Sequence, residues 1–311
     1  MTILINFINS LPTAIGQGLI WGIMAMGVYI TYRVLDVADL TVDSSFATGA
    51  GTAVILMILG VPAIVAMIAA LLSGLIAGMV TGLLHTKLGI PAILSGILTQ
   101  LGLYSINLHI LGYGTDSGSR SNLPISVDKY NLLLSGRFIK KMSAQNPIIV
   151  TVIFVIIVIA VLYWFFGTEL GCSLRATGAN QFMARAQGIN TDNSKIIGLA
   201  LSNGLVALSG ALFAQFQGFA DVAMGRGAIV IGLAAVIIGE ALFGKILKSF
   251  WGQLLACCLG SIVYYAVITL VLKLGLSTDD LKLLTALVVA TFLAVPYLKN
   301  QYTMTHVKGD K

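Results

Sequence analysis

The chain has 311 residues, of which 58% are hydrophobic and only 10% charged, with a net charge of +6 and a mean hydropathy of +0.96. Soluble globular domains carry about 25% charged residues, so this composition excludes a water-soluble enzyme and specifies an all-α polytopic membrane protein. The basic excess is spread over segment ends and the tail, which speaks for membrane orientation and against nucleic-acid binding.

Runs of about 20 apolar residues cross a hydrocarbon core of about 30 Å as helices. Nine such runs follow one another: 11–33, 40–60, 62–84, 90–111, 147–167, 196–218, 227–244, 250–273 and 281–298. No Lys or Arg precedes Arg33, so the first run lacks the basic flank of a cleaved leader and is expected to stay as a span. Ahead of and within the second run, Asp36, Asp39 and Asp43 are spaced to share one helix face, with Thr41 and Ser44 beside them. A carboxylate at the bilayer centre costs about 2.5 to 3.5 kcal/mol on insertion scales. These acids therefore either cap helix starts at the membrane surface or line a wet, protein-walled route, for which Asp43 is the stronger candidate. The third run carries Gly74, Gly78 and Gly82 four apart, a stripe that lets a neighbouring helix approach closely.

The segment 112–146 opens with turn formers from Gly112 to Arg120 and continues with the mixed stretch Val127 to Lys141. It reads equally as a solvated cap and as a surface for a receptor. A polar island, Thr168 to Lys195, then separates the fifth and sixth runs. Inside it Asn180 is a good N-cap and Gly188 a good residue just past a helix end, with about two turns between them. Phe182, Met183 and Ala186 share one side of that helix, leaving Gln181 and Arg185 elsewhere. A helix this short needs something to pack against.

In the sixth run Asn203, Gln215 and Gln217 stand among apolar residues, where an amide bonds a neighbouring helix or lines a solute path. Asp221 and Arg226 flank Gly225 in the connection that follows, where ordinary loop chemistry is the simpler explanation. Cys172, Cys257 and Cys258 lack ligand-like spacing, and His85, His109 and His306 have no partners at such spacing. No nucleophile with an adjacent base is visible, so the chain is not expected to be an enzyme, and no metal or other cofactor is expected on it.

Comparing the chain with itself at an offset of 182 aligns Ile15 to Met57 with Ile197 to Gly239 without a gap. Among the identical pairs are Gly16/Gly198, Gly22/Gly204, Asp39/Asp221 and Val54/Val236. A repeat of about five spans, an odd number, places its second copy upside down in the membrane. The expected organisation of residues 1–311 is thus one transmembrane domain: a first repeat at about 11–167, the linking island 168–195, an inverted second repeat at about 196–298 and a tail 299–311. Asp39, Thr41, Asp43, Ser44, Asn203, Gln215, Gln217 and Asp221 are the candidate translocation residues near the repeat interface. With the N-terminus outside, Arg33, His85, Lys87, the island, Lys245, Lys248 and the tail fall on the cytoplasmic side, while Arg120, Lys129, Arg137, Lys140 and Lys141 oppose that orientation.

The island run Arg175, Ala176, Gly178, Asn180, Ala184, Gly188 and Ile189 is similar to the cytoplasmic coupling loop of permease subunits in ABC importers of the branched-chain amino-acid and ribose type. Met183 stands where that family often has alanine. Leu35 to Gly49, with Asp39-Leu40-Thr41-Val42, and Gly232 to Gly244 resemble segments of its tryptophan/tyrosine-type uptake subgroup. The resemblance implies a membrane permease that imports an amino acid, aromatic in that subgroup, or a similar small solute by alternating access. It further implies cytosolic ABC ATPase subunits, an extracellular substrate-binding protein and a second permease copy, identical or related, as partners within the lipid of the cell membrane. Arg175, Gly178, Asn180, Phe182, Met183, Arg185 and Gly188 would then couple to the ATPase. The chain has no Gly-x-x-x-x-Gly-Lys-Ser/Thr phosphate loop of its own, in keeping with ATP hydrolysis on a separate subunit. Two other readings stay open from the residues alone: a secondary transporter driven by an ion gradient through Asp39, Asp43, Asp221 or Glu240, and a membrane scaffold without flux.

Overall fold

The computed structural model describes residues 2–274 except 115–117, 131 and 140–144, together with scattered positions between 283 and 294. Ten helices follow in order among the described residues up to 274: α1 (Thr2–Tyr29, continued by a π turn, Ile30–Val34), α2 (Val42–Ile58), α3 (Ala63–Thr86), α4 (Ala92–Leu111), α5 (Pro147–Gly167), α6 (Glu169–Ala179), α7 (Gln181–Ala186), α8 (Thr191–Gln217), α9 (Ala228–Phe243) and α10 (Phe250–Lys273). Two strands, β1 (Asn122–Pro124) and β2 (Phe219–Asp221), pair antiparallel and are the exception to the all-helical expectation among the described residues.

Among the described residues six helices are long and apolar enough to cross a membrane: α1 with its π turn, α3, α4, α5, α8 and α10. The runs 40–60 and 227–244, expected as full crossings, instead give the shorter α2 and α9 of 17 and 16 residues. At about 1.5 Å per residue these reach roughly 24 to 26 Å, less than the hydrocarbon thickness. The cause lies ahead of each helix. Asp36 takes a left-handed φ of +54, which breaks the continuation of α1, and Gly218 and Gly227 take φ of +83 and +86 around the β2 segment. The ninth expected run, 281–298, and the tail 299–311 fall for the most part outside the described residues, as do Lys140 and Lys141.

Helix α8 is the axis of the bundle, buried along most of its length. It lies antiparallel to α1, where Ser202 Oγ donates to the Gly27 carbonyl and Ser209 Oγ to the Ile20 carbonyl, each at 2.7 Å. It lies antiparallel to α3 as well: Gly74 faces the Asn203 carbonyl, Gly78 the Leu199 carbonyl and Gly82 the backbone of Ile196, so the glycine stripe is a helix-contact face, as expected. Helix α2 crosses α8 where Gly49 meets the Ala207 carbonyl and Gly210 the Phe46 carbonyl. Around α1, helix α10 repeats the theme, with Gly18 against Ile262 and Gly22 against Cys258. The ring of Trp21 stacks on Phe46 at 4.9 Å and meets Phe213 edge-on at 5.4 Å, filling the space between α1, α2 and α8. Helix α5, capped by Asn146 with Pro147 in its first turn, turns most of its apolar surface outward, as a lipid-facing helix must.

Residues 122–139 are not a loose loop. Leu123, Ile125, Leu132 and Leu134 are buried, and Gln215 Oε1 accepts from Leu133 N at 2.9 Å, fastening this cap over the end of α8.

Close backbone contact makes the glycines of the α2/α8 crossing irreplaceable. Gly210→Val should lower the melting temperature of the detergent-purified chain by several degrees, since overpacking typically costs about 1 to 3 kcal/mol. Gly102→Ala, where an added Cβ meets nothing within 4 Å, should leave it unchanged.

Candidate functional site

Helices α2 and α9 both begin inside the bundle, and their starts meet. Asp43 in the first turn of α2 accepts from Gly227 N and Ile229 N, each at 3.0 Å, and so supplies the acceptor that α9 lacks at its own N-terminus. Gly225 fits directly beneath the Asp43 carbonyl. An acid of one half thereby caps a helix of the other, across 184 residues of sequence.

Below this junction lies a buried polar network. Asp39, 3% exposed, accepts from Thr41 N at 2.9 Å through Oδ1 and from Asn203 Nδ2 at 2.6 Å through Oδ2. Asn203 Oδ1 accepts from Ser45 Oγ at 2.6 Å, and its Nδ2 also donates to the Leu199 carbonyl at 3.0 Å. Thr41, Thr81 and Thr99 form a hydroxyl chain at 2.8 and 2.9 Å that ties the start of α2 to α3 and α4. Ser44 Oγ donates to the Gln100 carbonyl at 3.0 Å.

The structure therefore brings Asp39, Thr41, Asp43, Ser44 and Asn203 together and leaves three other expected residues apart. Gln215 holds the cap through Leu133 and donates to Met67 Sδ at 3.2 Å. Gln217 is exposed beside that cap. Asp221 makes a local turn, accepting from Ala223 N at 2.7 Å and from Asn122 Nδ2 at 3.3 Å. This turn is the counterpart of the one at Asp39, because Thr41 and Ala223 are again 182 positions apart.

At the bundle end where Val34 emerges, the island forms two helices where the sequence suggested one. Thr168 caps α6 by accepting from Gly171 N, and Glu169 sits in its first turn, a start signal that the emphasis on Asn180 passed over. Arg175 Nη2 donates to the Phe166 carbonyl at 2.6 Å, and its guanidinium lies 5.9 Å from the Phe250 ring. Gly178 packs directly on the Val34 carbonyl. Asn180 Oδ1 accepts from Phe182 N and Met183 N at 3.0 and 3.1 Å, and Gly188 takes φ of +81 just past the helix end, so both end signals of α7 are observed. Arg185 turns back to the first turn of α8, bonding Thr191 Oγ1 at 2.8 Å and Asp192 Oδ1 at 3.1 Å.

The expected coupling residues thus separate into two kinds. Arg175, Gly178, Asn180, Arg185 and Gly188 brace the island, whereas Phe182 and Met183 are 85% and 60% exposed. Ala184, between them and the body, is buried. Residues that sequence reasoning did not single out include Ser45, Gln100, Tyr104 and Asn107, all within apolar runs; only their recurrence beside the Asp39 to Ser44 segment in space gives them meaning.

Comparison with known proteins places the chain. It matches the family described as branched-chain amino acid transport system / permease component over residues 10–296. It is 41% identical over 292 residues to the tyrosine transport system permease protein of Clostridioides difficile (strain R20291), covering 94% of this chain and 93% of that protein. It is 26% identical over 257 residues to the ribose import permease protein RbsC of Escherichia coli (strain K12), covering 82% and 75% of the two chains. Among solved structures, PsaBC from Streptococcus pneumoniae in complex with Fab aligns with 89% of this chain and 97% of its own at 16% identity and a TM-score of 0.44. The chain belongs to the permease-component family of branched-chain amino acid transport systems and is an integral membrane transport protein.

Removing the Asp43 carboxylate strips two backbone donors of their acceptor. Asp43→Ala should destabilise the detergent-purified chain by about 1 to 3 kcal/mol, read by denaturant or thermal unfolding. Asp128→Ala, which breaks an exposed pair with Arg137, should cost under about 1 kcal/mol.

Proposed function

We propose that this permease is the membrane subunit of an ATP-driven importer, carrying an amino acid of aromatic type by alternating access. The observation that carries the reading is the six-residue helix α7, capped at both ends and braced to α8, which presents Phe182 and Met183 to solvent. Burying a Phe or Met side chain in a partner contributes roughly 1.5 to 3 kcal/mol each, and a rigid mount lets force on that pair reach the body. The partner is a cytosolic ABC ATPase. A second permease copy completes the pathway, and the cap 122–139 at the opposite end receives an extracellular binding protein. In this reading the N-terminus lies outside and the island inside. The aromatic cargo rests on the likeness to the tyrosine transport permease.

Three features favour descent from two inverted copies. The Asp39 and Asp221 turns match at the self-comparison offset, α1 and α8 run antiparallel, and each is followed by a broken approach to a short helix. The ninth span stays part of this proposal. The links between the halves, Asp43 to α9 and Asp39 to Asn203, argue against rocking of one half on the other. They favour movement of each chain as a body against its neighbour.

An ion-driven secondary transporter needs a carboxylate free to exchange its cation. Asp39 and Asp221 are instead held by backbone or amide donors, and Glu240 pairs with Arg33 at 3.1 Å.

Affinity purification of the full-length chain in mild detergent should recover an ABC ATPase. Phe182→Asp should abolish that recovery while the melting temperature of the chain changes by less than about 2 °C, as expected for an exposed site. Active transport by the chain purified without any ATPase would contradict the reading.

A further inference from the structure

Where the starts of α2 and α9 meet, Asp43, Ser44, Gln100, Leu101, Tyr104, Val222 and Arg226 line a cavity of about 280 Å³. That is room for one solute of amino-acid size. Gln100, Leu101 and Tyr104 lie midway along the spanning helix α4, so the cavity is at mid-depth. Arg226 is exposed there, and among the described residues no hydrogen bond or ion pair reaches its guanidinium. A lone cation facing hydrocarbon at that depth is costly, so this wall faces a wet, protein-lined space in the assembled importer.

The opposite charge is already present. Asp43 lines the same cavity; among the described residues its oxygens are taken by two backbone N–H groups, and it makes no ion pair with Arg226. Behind this wall Asn107, 1% exposed and not itself lining the cavity, donates to the Ser44 carbonyl. Tyr104, 42% exposed, adds an aromatic face.

We infer that this cavity is a cargo subsite for a zwitterion: Arg226 takes the carboxylate, the Asp43 side takes the ammonium, and Tyr104 lies against the side chain. The inference rests on the amino-acid reading above and locates it in this chain. In Arg226 it also gives a role to the position that the repeat offset pairs with Ser44.

The test is uptake of radiolabelled L-tyrosine, with tyramine as the carboxylate-free probe, into cells carrying the complete importer. Arg226→Gln should cut tyrosine uptake by about tenfold, the effect of one lost charged hydrogen bond, with ATPase recovery and melting temperature unchanged. Arg226→Lys should restore most of it, and wild-type cells should discriminate against tyramine. Tyrosine uptake by Arg226→Gln within about twofold of wild type would overturn the subsite and leave the importer reading intact. Equal loss in both Arg226 variants together with a lower melting temperature would also overturn it, by making Arg226 structural. Wild-type cells that retain the ATPase but take up no tyrosine would instead contradict the cargo assignment itself.

Discussion

The carboxylate of Asp43, bonded to the amides of Gly227 and Ile229, is the contact on which the architecture turns. Within a membrane every backbone N–H and C=O must find a partner in the protein. A helix that starts inside the bundle exposes donors that water would otherwise satisfy. Here those of α9 are met by an acid from the first half, so neither half is complete without the other. Asp39 and Asn203 make the same kind of link one layer away, with Ser45 closing the amide's remaining need. Such contacts are expensive to break in a low-dielectric interior, because either partner alone would be left buried and unsatisfied.

The island is joined to this junction by rigid contacts. The path from α7 to the centre is short and made of stiff parts: Arg185 holds the first turn of α8, and twelve residues further on Asn203 holds Asp39. A second path runs through Gly178 on the Val34 carbonyl and Leu35 against Gly198. Glycine contacts between backbones leave little side-chain volume to deform. On the proposed coupling, a push on Phe182 and Met183 is passed to the junction with little loss.

Much of this was legible in the sequence because it follows from local rules. Composition set the environment, the stripe Gly74, Gly78 and Gly82 marked a contact face, and Asn180 with Gly188 marked the ends of α7. The Asp39/Asp221 pair pointed to two equivalent turns. Less legible was anything decided by distance in space. The runs 40–60 and 227–244 looked like whole spans because hydropathy cannot tell a helix that crosses from one that starts halfway. Gln215, expected as a pathway residue, bonds a cap whose apolar side chains are scattered over a polar stretch. Arg175 and Gly178, expected as coupling residues, also rest on Phe166 and Val34 of other helices, contacts that no local pattern announces.

The central claim is that α7 and the junction of α2 with α9 move as one body. Pulsed electron-spin distance measurements on the assembled importer would test it, with labels at Ala186 on the island and Val230 on α9, recorded with and without ATP. The account predicts an unchanged distance within each chain and a changed distance between the two permease copies. A nucleotide-dependent shift of several ångströms within one chain, with the distance between copies constant, would contradict it.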